Sequence, residues 1–347
     1  MGYSIIKADV HTDKTAVLEL MNRNLGAHTQ EWYDWKYLGC PAGPAQCWLV
    51  RQDGSNDYIG TAALFPRQYR TGGQEIKAGI LGDFAIDKKH RFLGLAMQLQ
   101  KHIMSVAAAE GFDFTCGIPN QKSEQVVLKI GYTHIGNFSR YTKLLSSEHK
   151  LRDIIKYRPV LKAAAFITDV WLRVSSGELF SRIPGHYTIN IYDNFDTYIE
   201  EIIENIAQSS QITSIKRTKF LKWRYSTLLK SSIRIIVAYS GNRKPFACAV
   251  VNCQDKSWYI DEIILAQRKK DVSVLITGII KHARIEKIKS IHISYLGDQE
   301  IKSEFIKAGF VLRDQGNKFV LYPLNPKISS LLLNQNNWLF LSGDNDA

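Results

Sequence analysis

The sequence has few cysteines and none of them in a metal-binding arrangement. Among its 347 residues are five cysteines, an odd number, and no two form a Cys-x-x-Cys pair. This pattern predicts neither a zinc site nor a complete disulfide framework, so we expect reduced thiols and no metal. The first residues carry charges and lack the apolar core of a secretion signal. We therefore expect a cytoplasmic protein.

Long hydrophobic runs and nucleic-acid-binding patterns are also missing. The most apolar helical stretch, 161–174, is interrupted by Lys162, Asp169 and Arg173 and falls short of the roughly 20 apolar residues that a membrane span needs. It is predicted to be a linker or docking helix. The sequence shows no helix-turn-helix, zinc-finger or arginine-rich arm pattern. We expect no membrane span and no DNA partner, and the oligomeric state stays open.

The composition describes an ordinary globular chain with an excess of positive charge. Hydrophobic residues make up 45% and charged residues 22% of the sequence, enough for a sizeable core, and the length favours two domains. The formal net charge is +12. Such an excess favours a nucleic acid, an anionic lipid or a polyanionic cofactor as partner, or it is a basic, solvated surface.

Two stretches of the chain resemble each other in the order of their features. Four pairs of residues correspond, in chain order: Trp35 and Trp223, Asp83 and Asp261, Asn120 and Asp298, Gly131 and Gly309. Each half alternates strand-like and helix-like segments, which predicts an α/β chain with a mixed, α+β type sheet. We predict a first domain at 1–145, a basic helical linker at 146–185, a second domain at 186–325 and a C-terminal tail at 326–347 that docks by its apolar residues.

The junction at 84–96 carries the sharpest motif of the sequence. It joins a predicted strand to a long predicted helix and contains Arg91, Gly94 and Ala96 at the spacing Arg-x-x-Gly-x-Ala. This segment resembles the acyl-CoA-binding motif of the GNAT superfamily of N-acetyltransferases, Gln/Arg-x-x-Gly-x-Gly/Ala. The resemblance implies two tandem GNAT-like acyl-CoA N-acyltransferase domains, the first carrying the motif.

The chemistry of a helix start explains why such residues suit an anionic ligand. The first N–H groups of a helix lack partners inside the helix and lie at the positive end of its dipole, so they bind a pyrophosphate. Glycine and alanine permit a close approach of that backbone. Lys88, Lys89 and His90 place further positive charge beside it.

The resemblance implies an acyl donor, an acceptor and a set of contacts. Acetyl-CoA or another acyl-CoA is the implied donor, its pantetheine arm lying between strands at 82–86 and 112–117, and an amine is the acceptor. The implied donor-binding residues are Phe84, Ile86, Arg91, Phe92, Leu93, Gly94, Leu95, Ala96 and Asn120. A backbone N–H near Ile86 would stabilise the developing oxyanion. Among acceptors, an amino sugar of a surface polysaccharide is preferred over small amines, peptide N-termini and lysines.

The acid–base residues depart from the family pattern. Many members carry a tyrosine four residues before the glycine that ends the last helix, and here that position is Val127. Asp83, beside the expected cleft, is the candidate base. The second half lacks the motif glycine and is expected not to bind CoA, whereas Asp261 and Glu262 are expected to meet a cationic acceptor.

Two other functions stay open at this point. A transferase similar to the Fem peptidoglycan ligases would use an aminoacyl-tRNA donor, which suits the positive charge but has no need of the Arg91 motif. A protein that binds acyl-CoA without catalysis, as a scaffold or regulator, agrees with the missing tyrosine at Val127.

Overall fold

The computed structural model describes residues 2–91, 93–176, 178, 183, 185–205, 211–225, 232–266 and 270–345. The helices are α1 (Lys14–Asn24), α2 (Gln30–Tyr33), α3 (Leu93–Ala109), α4 (Gln121–Lys129), α5 (Glu148–Leu151), α6 (Arg158–Ser175), α7 (Tyr198–Asn205), α8 (Thr218–Arg224), α9 (Lys270–Ile285), α10 (Gln299–Lys307) and α11 (Ser329–Leu332). One turn of π-helix, Asp34–Leu38, extends α2.

The strands form two large mixed sheets. The first sheet contains, in spatial order, β1 (Tyr3–Ala8), β2 (Gln46–Gln52), β3 (Tyr58–Thr71), β4 (Gln74–Ile86), β5 (Phe114–Gly117), β15 (Lys318–Pro323) and β6 (Thr133–Asn137), with β9 (Thr213–Ser214) beside β3. The second contains β14 (Val311–Asp314), β7 (Ser139–Leu144), β13 (Ser290–Gly297), β12 (Ser257–Leu265), β11 (Pro245–Gln254), β10 (Ser232–Tyr239) and β8 (Thr188–Tyr192), with β16 (Leu339–Leu341) beside β13.

Each sheet has a strand from the other half of the chain inserted between two of its own strands. β15, from the second half, lies between β5 and β6 of the first sheet and pairs antiparallel with both. β7, from the first half, lies between β13 and β14 of the second sheet. β15 carries the apolar run Phe319, Val320 and Leu321, which is fully buried. Sheet membership therefore crosses the predicted boundaries at 145 and 186.

The same layers cover both sheets. Val17 and Met21 of α1 are buried against one face of the first sheet, and Leu95, Leu99 and Ile103 of α3 against the other. In the second half α9 packs on one face of its sheet and α7 on the opposite face. The helical spacing of these apolar residues is what the sequence predicts for helices packed on a sheet.

The C-terminal tail docks by its apolar residues, as predicted. Trp338 is fully buried in the core of the first half, and Leu339 and Leu341 are buried in the core of the second half. The indole N–H of Trp338 donates to the carbonyl of Leu332 at 2.8 Å. The tail thus ties the two halves together.

The connector between the halves contributes α5 and α6. Leu161 and Ala165 face the body of the protein, and the carboxylate of Asp169 accepts a hydrogen bond from the backbone N–H of Ser147 at 2.7 Å. None of the helices in the described ranges is both long enough and apolar enough to cross a bilayer.

Candidate functional site

The parallel strands β4 and β5 separate at one end of the first sheet. Their pairing is confined to Ala78, Gly79 and Ile80 of β4. The segment 82–86 continues β4 beyond the last pair and keeps only β3 as a neighbour. Its backbone groups on the side of β5 are therefore available to an extended ligand.

A β-bulge lies in this separated segment. The register between β3 and β4 shifts between Thr61 and Ala63, so that Asp83 and Phe84 oppose Ala62 alone. Asp83 adopts a left-handed conformation with φ of +48°, which is strained for a residue with a side chain. Because of the bulge, the side chains of Asp83 and Phe84 lie in different surroundings.

A cavity of about 440 Å³ opens where the strands separate. It is lined by Asn24, Leu25, Phe84, Ala85, Ile86, Arg91, Ala96, Asn120, Lys122, Ser123 and Val126. Five of the predicted donor-binding residues, Phe84, Ile86, Arg91, Ala96 and Asn120, are therefore brought together. Asn24 and Leu25, which reach the cavity from the end of α1, were not predicted because no motif in the sequence contains them.

The other predicted residues lie at the start of α3. The helix begins at Leu93, and Gly94 is exposed in its first turn, which leaves the backbone there open to a ligand. Leu95 is buried in the apolar core instead of lining the cavity. Phe92 and the side chain of Leu93 lie outside the described residues.

A second, basic cavity of about 740 Å³ adjoins the first and shares Asn24 and Arg91 with it. Lys88, Lys89 and His90 line it, together with the acidic residues Glu19, Asp57 and Asp87. The guanidinium of Arg91 donates to the carbonyl of Ile86 at 2.7 Å and to the side chain of Asn24 at 3.1 Å. Arg91 is thus held at the boundary between the two cavities.

Asp83 is held by two donors from the π-helical turn. Its carboxylate lies 2.9 Å from the ammonium of Lys36 and accepts a hydrogen bond from the hydroxyl of Tyr37 at 2.9 Å. All three groups are largely buried. Burial, followed by the charge of Asp83, raises the pKa of Tyr37 well above its usual value. Both oxygens of the predicted base are therefore engaged.

His28 is a titratable group beside this ion pair that the sequence did not single out. Its ring stacks on that of Trp32, with the ring centroids 4.0 Å apart. The ammonium of Lys36 lies 4.9 Å from the centroid of the same Trp32 ring. Partial burial lowers the pKa of His28; the charge of Asp83 opposes this shift and that of Lys36 adds to it. The imidazole is therefore neutral at pH 7.

The residues after β5 have structural roles. Asn120 caps α4, its side-chain oxygen accepting from the backbone N–H groups of Lys122 and Ser123. Val127, at the position of the family tyrosine, is buried. Tyr132 is also buried, and its hydroxyl is 2.6 Å from that of Thr115. Burial raises the pKa of Tyr132, which makes it a poor proton donor for a thiolate in the cavity.

The corresponding region of the second half is filled by protein. β12 and β13 pair only from Ser257 to Ile260 on β12, so they also separate, but β16 pairs with β13 at the open end. The chain's own C-terminal strand thus occupies the place that forms a cavity in the first half. The pairing of β16 with β13 favours the expectation that the second half does not bind CoA, which stays a prediction.

Glu262 does not face an open acceptor cleft, contrary to expectation. Glu262 is fully buried and its carboxylate lies 2.9 Å from the ammonium of Lys216, which also contacts the carboxylate of Asp344 at 3.1 Å. Burial raises the pKa of Glu262 to about 7 and that of Asp261 to about 6. Nearby Arg224 opposes both shifts.

The two tryptophans of the repeat contact each other. The indole N–H of Trp35 donates to the backbone carbonyl of Trp223, and that of Trp223 donates to the carbonyl of Trp35, both at 2.9 Å. Their rings stack with centroids 5.3 Å apart. The corresponding residues of the two halves therefore meet across a local two-fold relation and form packing between the halves, not a sugar platform.

Comparisons with known proteins identify a family for the first half of the chain. The model of the acetyltransferase (GNAT) family matches residues 14–132, which contain the separated strands and the motif. The resemblance predicted from Arg91, Gly94 and Ala96 is thereby confirmed for the first domain. Among curated protein sequences, no relative matches the chain.

Solved structures share the whole architecture at low sequence identity. A conserved protein of unknown function from Enterococcus faecalis V583, described as a probable N-acyltransferase, is 14% identical, with a TM-score of 0.65 over 94% of this chain and 73% of that one. A GCN5-related N-acetyltransferase from Anabaena variabilis is 11% identical, with a TM-score of 0.63 over 93% and 73%. The N-myristoyltransferase of Saccharomyces cerevisiae with bound myristoyl-CoA is 13% identical, with a TM-score of 0.53 over 92% and 82%. The predicted fold of two tandem GNAT-like domains is confirmed, and the family match supports acyl transfer as the general class of reaction.

Proposed function

We propose that this protein is an acyl-CoA-dependent N-acyltransferase, with acetyl-CoA as the simplest donor and a primary amine as acceptor. The observation that carries the proposal is the cavity between the separated strands of the first half. It joins a strand with free backbone groups, the start of a long helix, and a basic cavity on one continuous surface.

The residues present fit an acyl-CoA. Segment 82–86 offers main-chain hydrogen bonds to the pantetheine arm, since one side of it has no strand partner. The first turn of α3, with exposed Gly94, offers N–H groups to the pyrophosphate. Lys88, Lys89 and His90 supply positive charge for the remaining phosphate. Asn120 lines the cavity and has its amide nitrogen left to donate.

The acceptor must lose a proton during the reaction. The amine nitrogen forms the new bond to the acyl carbon as the carbon–sulfur bond breaks, one proton leaves the ammonium and the thiolate of CoA takes one up. We assign the first proton to His28 in place of Asp83. The His28 ring stacks on Trp32 next to the ammonium of Lys36, whereas the carboxylate of Asp83 already holds Lys36 and Tyr37. Asp83 is then a positioning residue.

An amino sugar is the preferred acceptor class. Trp32 and His28 form a stacked aromatic surface beside the bulge, and flat aromatic surfaces suit the apolar face of a sugar ring. Trp35 and Trp223 do not contribute to such a surface because they pack on each other.

The structure favours neither of the two other functions, an aminoacyl-tRNA-dependent transferase or a protein that binds acyl-CoA without catalysis. An aminoacyl-tRNA donor has no need of the narrow cavity at Phe84 and Ala96. A role limited to binding remains compatible with buried Val127, and it predicts that no amine promotes release of thiol from acetyl-CoA.

Equilibrium binding of acetyl-CoA by calorimetry tests the donor assignment. Arg91→Glu reverses the charge at the boundary of the two cavities, and we expect it to weaken binding by about tenfold or more, because one charged hydrogen bond is worth about 1.5–3 kcal/mol. Lys101→Glu makes the same change on the exposed side of α3 and serves as the control. Absence of binding by the unaltered protein, or equal loss in both variants, would contradict the assignment.

A further inference from the structure

The connector between the halves exposes most of the large hydrophobic side chains on the protein surface. Fourteen such side chains are exposed within the described ranges, and eight of them lie between 154 and 174. These eight are Ile154, Tyr157, Val160, Phe166, Ile167, Val170, Trp171 and Val174. Single exposed hydrophobic residues are ordinary, but a contiguous group of this size marks an interaction surface.

Six of these side chains form one face of α6. At 100° per residue, the positions from Val160 to Val174 fall within an arc of about 140°. Phe166 and Trp171, at the two edges of this arc, keep 71% and 64% of their surface exposed. The opposite face is fixed to the body through buried Leu161 and Ala165. The apolar face is therefore held outward.

Positive charge surrounds this face. Between 148 and 173 there are six basic side chains against three acidic ones. The basic ones are Lys150, Arg152, Lys156, Arg158, Lys162 and Arg173. A cavity of about 960 Å³ beside α5 adds Arg140, Lys256, Lys289 and Arg313, opposed by Asp255. Lys150 and Leu151 of α5 and Thr168 of α6 also line this cavity.

We propose that the connector docks the protein on an anionic lipid surface, with α6 lying in the plane of the interface. An amphipathic helix with aromatic and aliphatic residues on one face and Lys and Arg on the other inserts the apolar face among the headgroups. Trp171 and Tyr157 are of the residue types enriched at that depth. Since α6 does not meet the length and apolarity of a membrane span, it lies on the bilayer without crossing it.

The charge argues for lipid over a second copy of the chain. A symmetric dimer through α6 would bring the basic side chains of two connectors together, and like charges at close range oppose association. Anionic headgroups complement the same charges, each worth about 1 kcal/mol near the surface. The proposal is independent of acyl transfer, because it uses no residue of the cavity.

Sedimentation with vesicles tests the proposal. We expect the full chain to bind vesicles of phosphatidylcholine with about 30% phosphatidylglycerol, a content that gives a strongly negative surface, and to be released by salt. Phe166→Glu/Trp171→Glu lowers the affinity by at least about tenfold. Leu333→Glu, on an exposed aliphatic residue outside the connector, leaves it unchanged. Acetyl-CoA binding in all variants shows that they are folded.

A second set of variants tests the contribution of the connector's positive charge to vesicle binding. Lys156→Gln/Lys162→Gln lowers affinity for the anionic vesicles by roughly thirtyfold, at about 1 kcal/mol per lysine, whereas Lys101→Gln/Lys129→Gln, on exposed positions of α3 and α4, does not. Failure of the unaltered protein to bind anionic vesicles overturns the proposal. So does a dimer, seen by light scattering without lipid, that Phe166→Glu/Trp171→Glu dissociates.

Discussion

At the scale of single residues, the protonation state of His28 sets the expected pH dependence. Burial lowers its pKa below the ordinary value of 6.5, so the imidazole is neutral and able to accept a proton at neutral pH. We expect kcat/KM to fall on the acid side with a midpoint below 6.5. His28→Gln should remove this limb and lower the rate by about a hundredfold.

The measurement is release of CoA thiol from pH 5 to 8 at saturating acetyl-CoA with an amine panel. An acid limb that persists unchanged in His28→Gln would assign the proton transfer to another group. The corresponding change at an exposed histidine, His149→Gln, provides the control.

Glu262 controls a second, unrelated pH dependence, that of stability. Burial raises its folded pKa from 4.5 to about 7. Between these values the folded state binds more protons than the unfolded state, so the contribution of Glu262 to stability is lost as pH rises through this window. Relative to the unaltered protein, Glu262→Gln should gain up to about 3 kcal/mol in free energy of unfolding between pH 4.5 and 7.

Urea unfolding at pH 5 and pH 8 measures this gain. The exposed Glu286→Gln should show none. A difference between Glu262→Gln and the unaltered protein that is the same at both pH values would mean that Lys216 and Arg224 compensate the buried charge fully.

Residue types at short spacing predicted part of the site. The motif at 91–96 and the capping residue Asn120 are local signals, because helix starts are determined within a few residues. His28 was missed because its environment depends on Asp83, which lies in a strand more than 50 positions away in the sequence. The ion pair between Asp83 and Lys36 likewise could not be predicted from the spacing of residues along the sequence.

At the scale of elements, the Trp35–Trp223 contact joins the π-helical turn to α8. Stacking and two reciprocal hydrogen bonds are lost together when either ring is removed. We therefore expect a double-mutant cycle of Trp35→Ala and Trp223→Ala to give a coupling energy of about 1–2 kcal/mol. Either single substitution would remove most of this interaction, so the destabilisation of the double variant would be smaller than the sum of the two single effects.

Equilibrium unfolding of the four proteins measures the coupling. Trp32 stacks on His28 within the first half, so a cycle of Trp32→Ala with Trp223→Ala is the matched control and should be additive within about 0.5 kcal/mol. Additivity in the Trp35 cycle would mean that the two rings stabilise their own halves separately.

The elements themselves were largely predictable, and their pairing was not. The long helix predicted after the motif, α3, ends at Ala109, and Gly111 has a φ of +72°, a conformation that glycine favours after a helix. The placement of β15 and β16 depends on contacts between distant segments. An apolar strand such as 318–323 fits either sheet by pattern alone.

At the scale of the whole molecule, the exchanged strands couple the stability of the two halves. Neither sheet is complete without a strand from the other half, so we expect one cooperative thermal transition, with calorimetric and van't Hoff enthalpies equal. Val320→Ala, in a strand encoded late in the chain but fully buried in the first sheet, should destabilise this single transition by about 2 kcal/mol.

Differential scanning calorimetry distinguishes the possibilities. Two resolved transitions, with only one shifted by Val320→Ala, would show that the halves unfold independently. The predicted boundaries at 145 and 186 describe the order of segments along the chain, and this experiment determines whether they also separate units of folding.

The exchange of β7 and β15 has a consequence for synthesis on the ribosome. β5 and β6 are translated early, but the strand that lies between them follows about 180 residues after β6. At 5–20 residues per second, the interval is about 10–40 s. During that time the nascent first half presents two unpaired strand edges, which are prone to misassembly with neighbouring chains. Closure of the first sheet therefore waits until residue 323 has been translated, and this delay makes the nascent chain a candidate client for chaperones.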